Sequence, residues 1–272
     1  MKSLDALLHD HSLSDSVALA EAAVKAAPGS ADPRATWVQL LLLHGDWARG
    51  RVQLQAWQAL TPVAKPTTQQ LTDTVAAEIQ RERVFRAQAA PEFLTPPQAW
   101  MTMLVSAMGM ENARACDVRD EAFELAAASG GELLLARDKE ETVRESFNWL
   151  ADADSRLGPV CELIIDSRYC WVPYAELESI TFQAPQNVVH LVWAHAMVKW
   201  RSGRQQVCQI PARYPLLEDT PDEFRLGRKT DWLTLGREGH YTGIGQKTLL
   251  TDNDEFAILP LRSIQFREEA LQ

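Results

Sequence analysis

Apolar residues in the first half of the chain recur at helical spacing. Leu13, Val17, Ala20 and Val24 fall at i, i+4, i+7 and i+11, an amphipathic stripe that Pro28-Gly29 brings to an end. Asp32 before Pro33 supplies a cap oxygen and a residue whose fixed φ suits a first helical turn, and Trp37, Leu40, Leu41 and His44 follow at helical spacing up to Gly45. Asp46 caps a third helix that carries Trp47, Leu54 and Trp57 and stops at Thr61-Pro62. Pro28 and Pro62 lie 34 residues apart, the period of tetratricopeptide repeats (TPR), and Trp37-x-x-Leu40 with Ala48 echoes that consensus without its glycine and tyrosine. A longer helix over about 67 to 88 points Leu71, Val75 and Ile79 inward and sets Glu78, Arg81, Glu82, Arg83 and Arg86 on a solvated face. Pro91 and Pro96-Pro97 interrupt it. Two more helices then carry Trp100, Leu104 and Met108, and Ala115, Val118, Ala122 and Leu125, closing at Ser129-Gly130-Gly131.

From about residue 131 short apolar runs cut by Gly and Pro replace the helical period. Val160 to Ile165 and Tyr169 to Val172 flank the turn Asp166-Ser167-Arg168, Val188 to Trp200 and Gln205 to Ile210 flank Ser202-Gly203, and Lys247 to Leu250 and Phe256 to Leu259 add two strands. The fold class expected is α+β: N-terminal TPR-like antiparallel helical hairpins (residues 1–130), followed by a β-rich, sheet or barrel-like C-terminal domain (residues 131–272).

Composition narrows the function. Of the 272 residues, 46% are hydrophobic and 24% charged, which is ordinary for a globular chain, and the net charge is −10 with neither half basic. Binding of a nucleic-acid backbone needs a concentrated positive surface, so no nucleic-acid partner is expected. The start MKSLDALLHDHSLSD has no apolar signal core and no run approaches a membrane span, which predicts a cytoplasmic protein without a membrane partner. Cys116, Cys161, Cys170 and Cys208 form no CxxC pair and read as buried free thiols.

One segment is distinctive. FNWLADADSRLGP, Phe147 to Pro159, is followed in order by Glu162, YCWVPY (Tyr169 to Tyr174), ARYP (Ala212 to Pro215), LGRKTDW (Leu226 to Trp232) and TGIGQKTLL (Thr242 to Leu250). Upstream stand HGDWARGRVQL (His44 to Leu54) and RERVFRAQAAPEF (Arg81 to Phe93). This series resembles the ImpE/TagJ family of type VI secretion accessory proteins over nearly the whole chain. The departures are Ala48-Arg49-Gly50 after Trp47, where a helical glycine costs about 1 kcal/mol relative to Ala, and the loss of charge at Asn187 to His190. The resemblance implies a non-enzymatic accessory role: binding of the N-terminal helix of the small sheath subunit, TssB, and association with the AAA+ disassembly ATPase ClpV. It implies no cofactor.

Asp152 and Asp154, with Arg156 and Glu162 near them, are the residues most like a chemical site. The alternative to an adaptor is a metal-dependent or hydrolytic enzyme using Asp152, Asp154 and Glu162. The spacing favours a structural loop instead. Carboxylates two apart point the same way along an extended chain and can accept backbone N–H bonds, pair with Arg156 and lock Leu157-Gly158-Pro159 behind Trp149. Gly243-Ile244-Gly245 reads as a turn or bulge rather than a phosphate loop, and His190 and His195, five apart in an expected strand, lie on opposite faces. Nine tryptophans are the strongest binding signal, since helix-binding grooves are built on large apolar anchors. Trp37, Leu41, Trp47, Trp57 and Trp100 are the expected groove residues, on the helical half or at the seam between halves. A homodimer through the β-rich half is a further arrangement that the pattern allows.

Overall fold

The structure, a computed structural model, describes residues 8–137 and 141–268; residues 1–7 of the amino-terminal segment lie outside them. Helices α1 (Leu13–Ala26), α2 (Ala31–His44), α3 (Trp47–Leu60) and α4 (Lys65–Phe85) pack each against the next, with a 3-10 turn, Pro62–Ala64, before α4. Their boundaries follow from local chemistry. Ser12 Oγ accepts the Asp15 N–H at 3.0 Å, and Asp46 Oδ1 accepts the Arg49 N–H at 3.0 Å. Gly45 ends α2 in the left-handed region at φ 89°, its N–H donating to the Leu41 and Leu42 carbonyls. The expected cap at Asp32 moves back by two residues to Ser30, and Asp32 sits in the first turn.

Helix α2 is apolar almost all round. Trp37, Val38 and Leu40 to Leu43 are all buried because α1, α3 and a 3-10 turn at Val188–Leu191 cover it. Gly50 has a packing reason: a Cβ there would come within 2.9 Å of the Leu42 side chain, so the glycine lets α2 and α3 approach closely. Helices α5 (Ala99–Ala107) and α6 (Asn112–Leu125) follow a two-residue strand, β1 (Glu92–Phe93).

The remaining strands are β2 (Gly131–Ala136), β3 (Thr142–Phe147), β4 (Leu150–Asp152), β5 (Val160–Ile165), β6 (Arg168–Pro173), β7 (Leu177–Phe182), β8 (Trp193–Trp200), β9 (Gln205–Pro211), β10 (Thr230–Thr234), β11 (Tyr241–Gly245), β12 (Thr248–Thr251), β13 (Glu255–Ala257) and β14 (Leu261–Phe266), with a short helix α7 (Asp222–Arg225). Nine form one open mixed sheet in the order β1-β6-β5-β9-β8-β7-β14-β2-β3, in which β1 pairs parallel to β6 and the other pairs are antiparallel. With edges at β1 and β3 it is a sheet and not a closed barrel, so the α+β class stands in its sheet form. The turn Asp166-Ser167 has φ of 48° and 62°, the two positive values of a tight two-residue hairpin. The expected strand over Val188 to Trp200 begins only at Trp193. Asn187 Oδ1 accepts the Val189 N–H at 3.0 Å and winds the preceding residues into the 3-10 turn.

Strands β5 and β6 are buried on both faces. Alternate residues divide between two cores: Val160, Ile164, Tyr169 and Trp171 join the core built with α1 to α5, while Cys161, Leu163, Ile165, Cys170 and Val172 join a second core on the other face of the sheet. The first core runs without a break from α1 to Trp193 on β8. All four cysteines are buried free thiols.

Candidate partner-binding cleft and the ion network behind it

Strand parity places Glu162, Tyr169 and Trp171 on the face of β5 and β6 that meets α4. Helical spacing of three places Val75, Glu78, Arg81 and Val84 on the stripe of α4 that is buried. Two of the residues expected on a solvated face are therefore interior: Arg81 is 1% exposed and Glu78 4%. Arg81 Nε and Nη2 donate to the two Glu162 carboxylate oxygens at 2.6 and 3.2 Å, Nη1 donates to Glu78 Oε1 at 2.9 Å, and Nη2 also reaches the Arg213 carbonyl at 3.1 Å. Trp193 Nε1 donates to Glu78 Oε2 at 2.8 Å; Tyr169 Oη donates to Glu162 Oε1 at 2.6 Å and accepts from Trp171 Nε1 at 2.6 Å. Lys247 Nζ bridges Glu162 Oε2, at 2.5 Å, and Asp152 Oδ2.

The Asp152–Asp154 loop continues this network. Asp152 Oδ1 accepts the Asp154 N–H at 2.9 Å and the Tyr214 hydroxyl at 3.1 Å. Asp154 takes three bonds from Arg156, one from its N–H at 3.0 Å and two from its guanidinium at 2.9 and 2.6 Å, together with the Thr242 hydroxyl and the Gly243 N–H at 3.0 and 3.1 Å. Its carbonyl accepts from Leu157 and Gly158, closing the turn before Pro159, and at Gly158, φ 53°, a Cβ would fall 2.3 Å from the Phe123 ring. Arg81 and Arg156 both stack over the Phe85 ring, at 5.3 and 4.5 Å. Gly243 lies within β11, not in a turn, and a Cβ there would fall 2.1 Å from the Tyr214 ring.

The electrostatics follow from this geometry. Burial alone would raise Glu162, yet Arg81 and Lys247 hold it down to about 2. Burial, with the charges of Glu162 and Asp154 added, pushes Asp152 up to about 6 against the pull of Lys247. Asp154 is lowered because Arg156 and the backbone donors outweigh its burial. Every carboxylate oxygen of Asp152, Asp154 and Glu162 already accepts a donor, and the cavity beside Glu162 and Lys247 holds only about 10 Å³. These groups are packed acceptors rather than free acids or bases. Among the described residues no set of three or more His, Cys, Asp or Glu side chains is arranged to hold a metal ion. His190 and His195, expected on opposite faces, instead stack with centroids 4.4 Å apart, because His190 sits on the 3-10 turn and folds back over the strand.

In front of the network lies an open cleft of about 740 Å³, between the α2–α3 corner, α4 and the segment after β9. Trp47, Ile79 and Leu216 line it, with Leu217 on its lip. Trp47 Nε1 donates to Glu82 Oε1 at 2.7 Å, which fixes its ring against α4. A smaller recess of about 170 Å³ shares Glu82, Arg86, Leu216 and Leu217 and extends to Leu233 and Ile244. The corner is held from behind: Arg213 Nη1 donates to the Leu43 carbonyl at 2.6 Å and Nη2 to that of Leu42 at 3.3 Å, and Arg225 binds the His44 carbonyl, placing cations at the negative end of α2. Of the five expected groove residues, only Trp47 reaches the cleft. Trp57 is half-buried elsewhere on α3, and Trp37, Leu41 and Trp100 are core because neighbouring helices cover them. Sequence reading missed Arg213, Leu216, Leu217 and Lys247, although ARYP and TGIGQKTLL contain or adjoin all four.

Comparison with known proteins agrees with this architecture. The family model described as ImpE protein matches residues 144–265. A curated Pseudomonas aeruginosa protein named type VI secretion system accessory component TagJ is 34% identical over 265 residues, covering 96% of this chain and 89% of that protein. The crystal structure of protein VPA1032 from Vibrio parahaemolyticus has a TM-score of 0.85 to this fold at 25% identity, covering 98% of each chain. No helix among the described residues is long and apolar enough to cross a membrane.

Proposed function

The chain belongs to the ImpE family of type VI secretion accessory components, and on that premise we propose that it is a non-enzymatic adaptor that seats the N-terminal helix of the small sheath subunit, TssB, in the cleft beside Trp47 and associates with the ClpV ATPase. The observation that carries this reading is the cleft itself. A helix-in-groove contact needs an apolar floor for anchors at i, i+3 or i+4 and i+7, with polar groups at the rim. Trp47, Ile79 and Leu216 supply the floor with Leu217 on its lip, and Arg51, Glu82, Arg86 and Glu218 supply the polar rim.

Titration of the full chain with a synthetic TssB N-terminal helix tests the reading. Leu217 is 55% exposed, so Leu217→Asp leaves the fold intact. It should weaken binding by about 30-fold, the loss of a hot-spot contact. Absence of binding at tens of micromolar, or binding indifferent to Leu217→Asp, sinks the assignment.

A further inference from the structure

Asp152 of the ion network also lines a second, separate pocket of about 370 Å³ formed by the end of α6 and by β4. Phe123, Ala126, Trp149, Leu150, Pro159 and Leu250 give it an apolar interior. Trp149 is 39% exposed, and Leu125 on the adjoining helix end is 58% exposed. The chain leading into the tryptophan is pinned. Asn148 donates its N–H and its side-chain amide to the two Asp252 oxygens, both at 2.7 Å, Asn253 Nδ2 donates to the Ser146 carbonyl at 2.9 Å, and Arg267 binds the Phe147 carbonyl. A large aromatic with two side-chain torsions on a pinned backbone loses little conformational entropy on binding, and such residues dominate binding energy.

On the elements that form this pocket the unpaired charge is acidic, because Arg156 is already held by Asp154 and Arg237 by Asp117 and Asp120. Glu121 and Glu124 on α6 and Asp252, Asp254 and Glu255 on the β12–β13 turn are exposed. Glu121, Glu124 and Glu255 have no hydrogen-bonded or ionic side-chain partner among the described residues, while Arg267 is engaged with carbonyls. An apolar pocket whose flanking elements carry unpaired acidic side chains complements a cationic segment and repels both an acidic one and an anionic membrane.

We propose that the Trp149 pocket is a second docking site, which takes a basic segment of a protein partner that inserts one large apolar side chain beside Trp149. It is independent of the helix cleft, since the two share no lining residue.

The test follows the indole N–H signals of the nine tryptophans in the full chain by NMR, with Trp149→Phe identifying the relevant signal. The probes are three hexapeptides: Lys-Lys-Leu-Phe-Lys-Lys, its acidic counterpart Glu-Glu-Leu-Phe-Glu-Glu, and the anchorless Lys-Lys-Ser-Ser-Lys-Lys. The first should shift the Trp149 signal saturably, and the other two should not. Glu121→Lys with Glu124→Lys should weaken binding by about 10-fold, and raising salt from about 0.1 to about 0.5 M should weaken it several-fold. Equal binding of the acidic peptide, no shift from the basic peptide up to a few millimolar, or binding to anionic phospholipid vesicles in place of the peptide overturns the proposal.

Discussion

Arg81→Met removes the centre of the ion network while keeping most of the side chain's length. Glu162 then retains Lys247 at 2.5 Å and Tyr169 at 2.6 Å but loses both bonds from the guanidinium, and Glu78 keeps only Trp193. Two interior carboxylates lose their shared cation, and breaking a buried pair in this way costs about 3–5 kcal/mol. At about 2–4 °C per kcal/mol for a chain of this size, the melting temperature should fall by about 6–20 °C. Removing Glu78 as well, in Arg81→Met/Glu78→Gln, takes away one uncompensated charge and should recover part of the loss. Urea unfolding followed by circular dichroism measures both variants. The pH dependence gives a second reading. Glu162 is depressed from 4.5 to about 2, so its contribution is present above 4.5 and is lost as pH falls through the folded value. The gap between wild type and Arg81→Met should therefore narrow between pH 4.5 and 2. A gap below about 1 kcal/mol at neutral pH, or one that does not narrow in acid, would refute the account of Arg81 as the cation that stabilises Glu162.

Two further outcomes are expected. Gly243→Ala drives a methyl group into the Tyr214 ring and displaces the hydroxyl from Asp152, and overpacking of this kind should cost about 1–3 kcal/mol in a thermal or urea melt. His190 and Asp152 bias stability in opposite senses across overlapping acid ranges: His190, lowered to about 4 from 6.5 by burial and by His195, stabilises the fold above 6.5 and loses that effect as pH falls. Asp152, raised from 3.8 to about 6, favours the fold at low pH and loses that effect as pH rises through 6. His190→Asn should flatten the acid-side decline in urea midpoint and Asp152→Asn should steepen it; unchanged slopes in both variants would count against these two assignments.

Local structure was legible wherever short-range chemistry decides it. The cap at Asp46, the stop at Gly45 and the hairpin at Asp166-Ser167 are each set by residues within a turn of one another. Which tryptophans stay exposed was not legible, because a tryptophan at helical spacing looks the same whether its stripe faces solvent or a neighbouring helix. Trp37 and Leu41 face α1 and α3 around a helix that is covered on several sides, and no local pattern reveals that second layer of cover. The position of the pair at His190 and His195 was missed for a different reason. A single side-chain cap at Asn187 converts an apolar run that reads as strand into a 3-10 turn.

The charge run on α4 is the most instructive failure, because the signal was present. The stripe Val75, Glu78, Arg81, Val84 advances by three residues at each step, so the charged pair continues an apolar face instead of opposing it. A cation and an anion one turn apart on such a face can be buried only if the opposing layer supplies the remaining charges, and Glu162 lies at a core-facing position of an otherwise apolar strand. Segments far apart in sequence, RERVF, Glu162, YCWVPY, ARYP, TGIGQK and the Asp152–Asp154 loop, all contribute groups to that one seam. An apolar seam of the same area would be about as stable, since desolvation offsets most of what buried ion pairs gain. It would not define one registration of α4 on the sheet, whereas Arg81 can meet both Glu162 oxygens in a single position. That registration sets where Ile79, Glu82 and Arg86 stand, and they form one wall of the cleft. The shape of the cleft therefore depends on residues that never touch its surface.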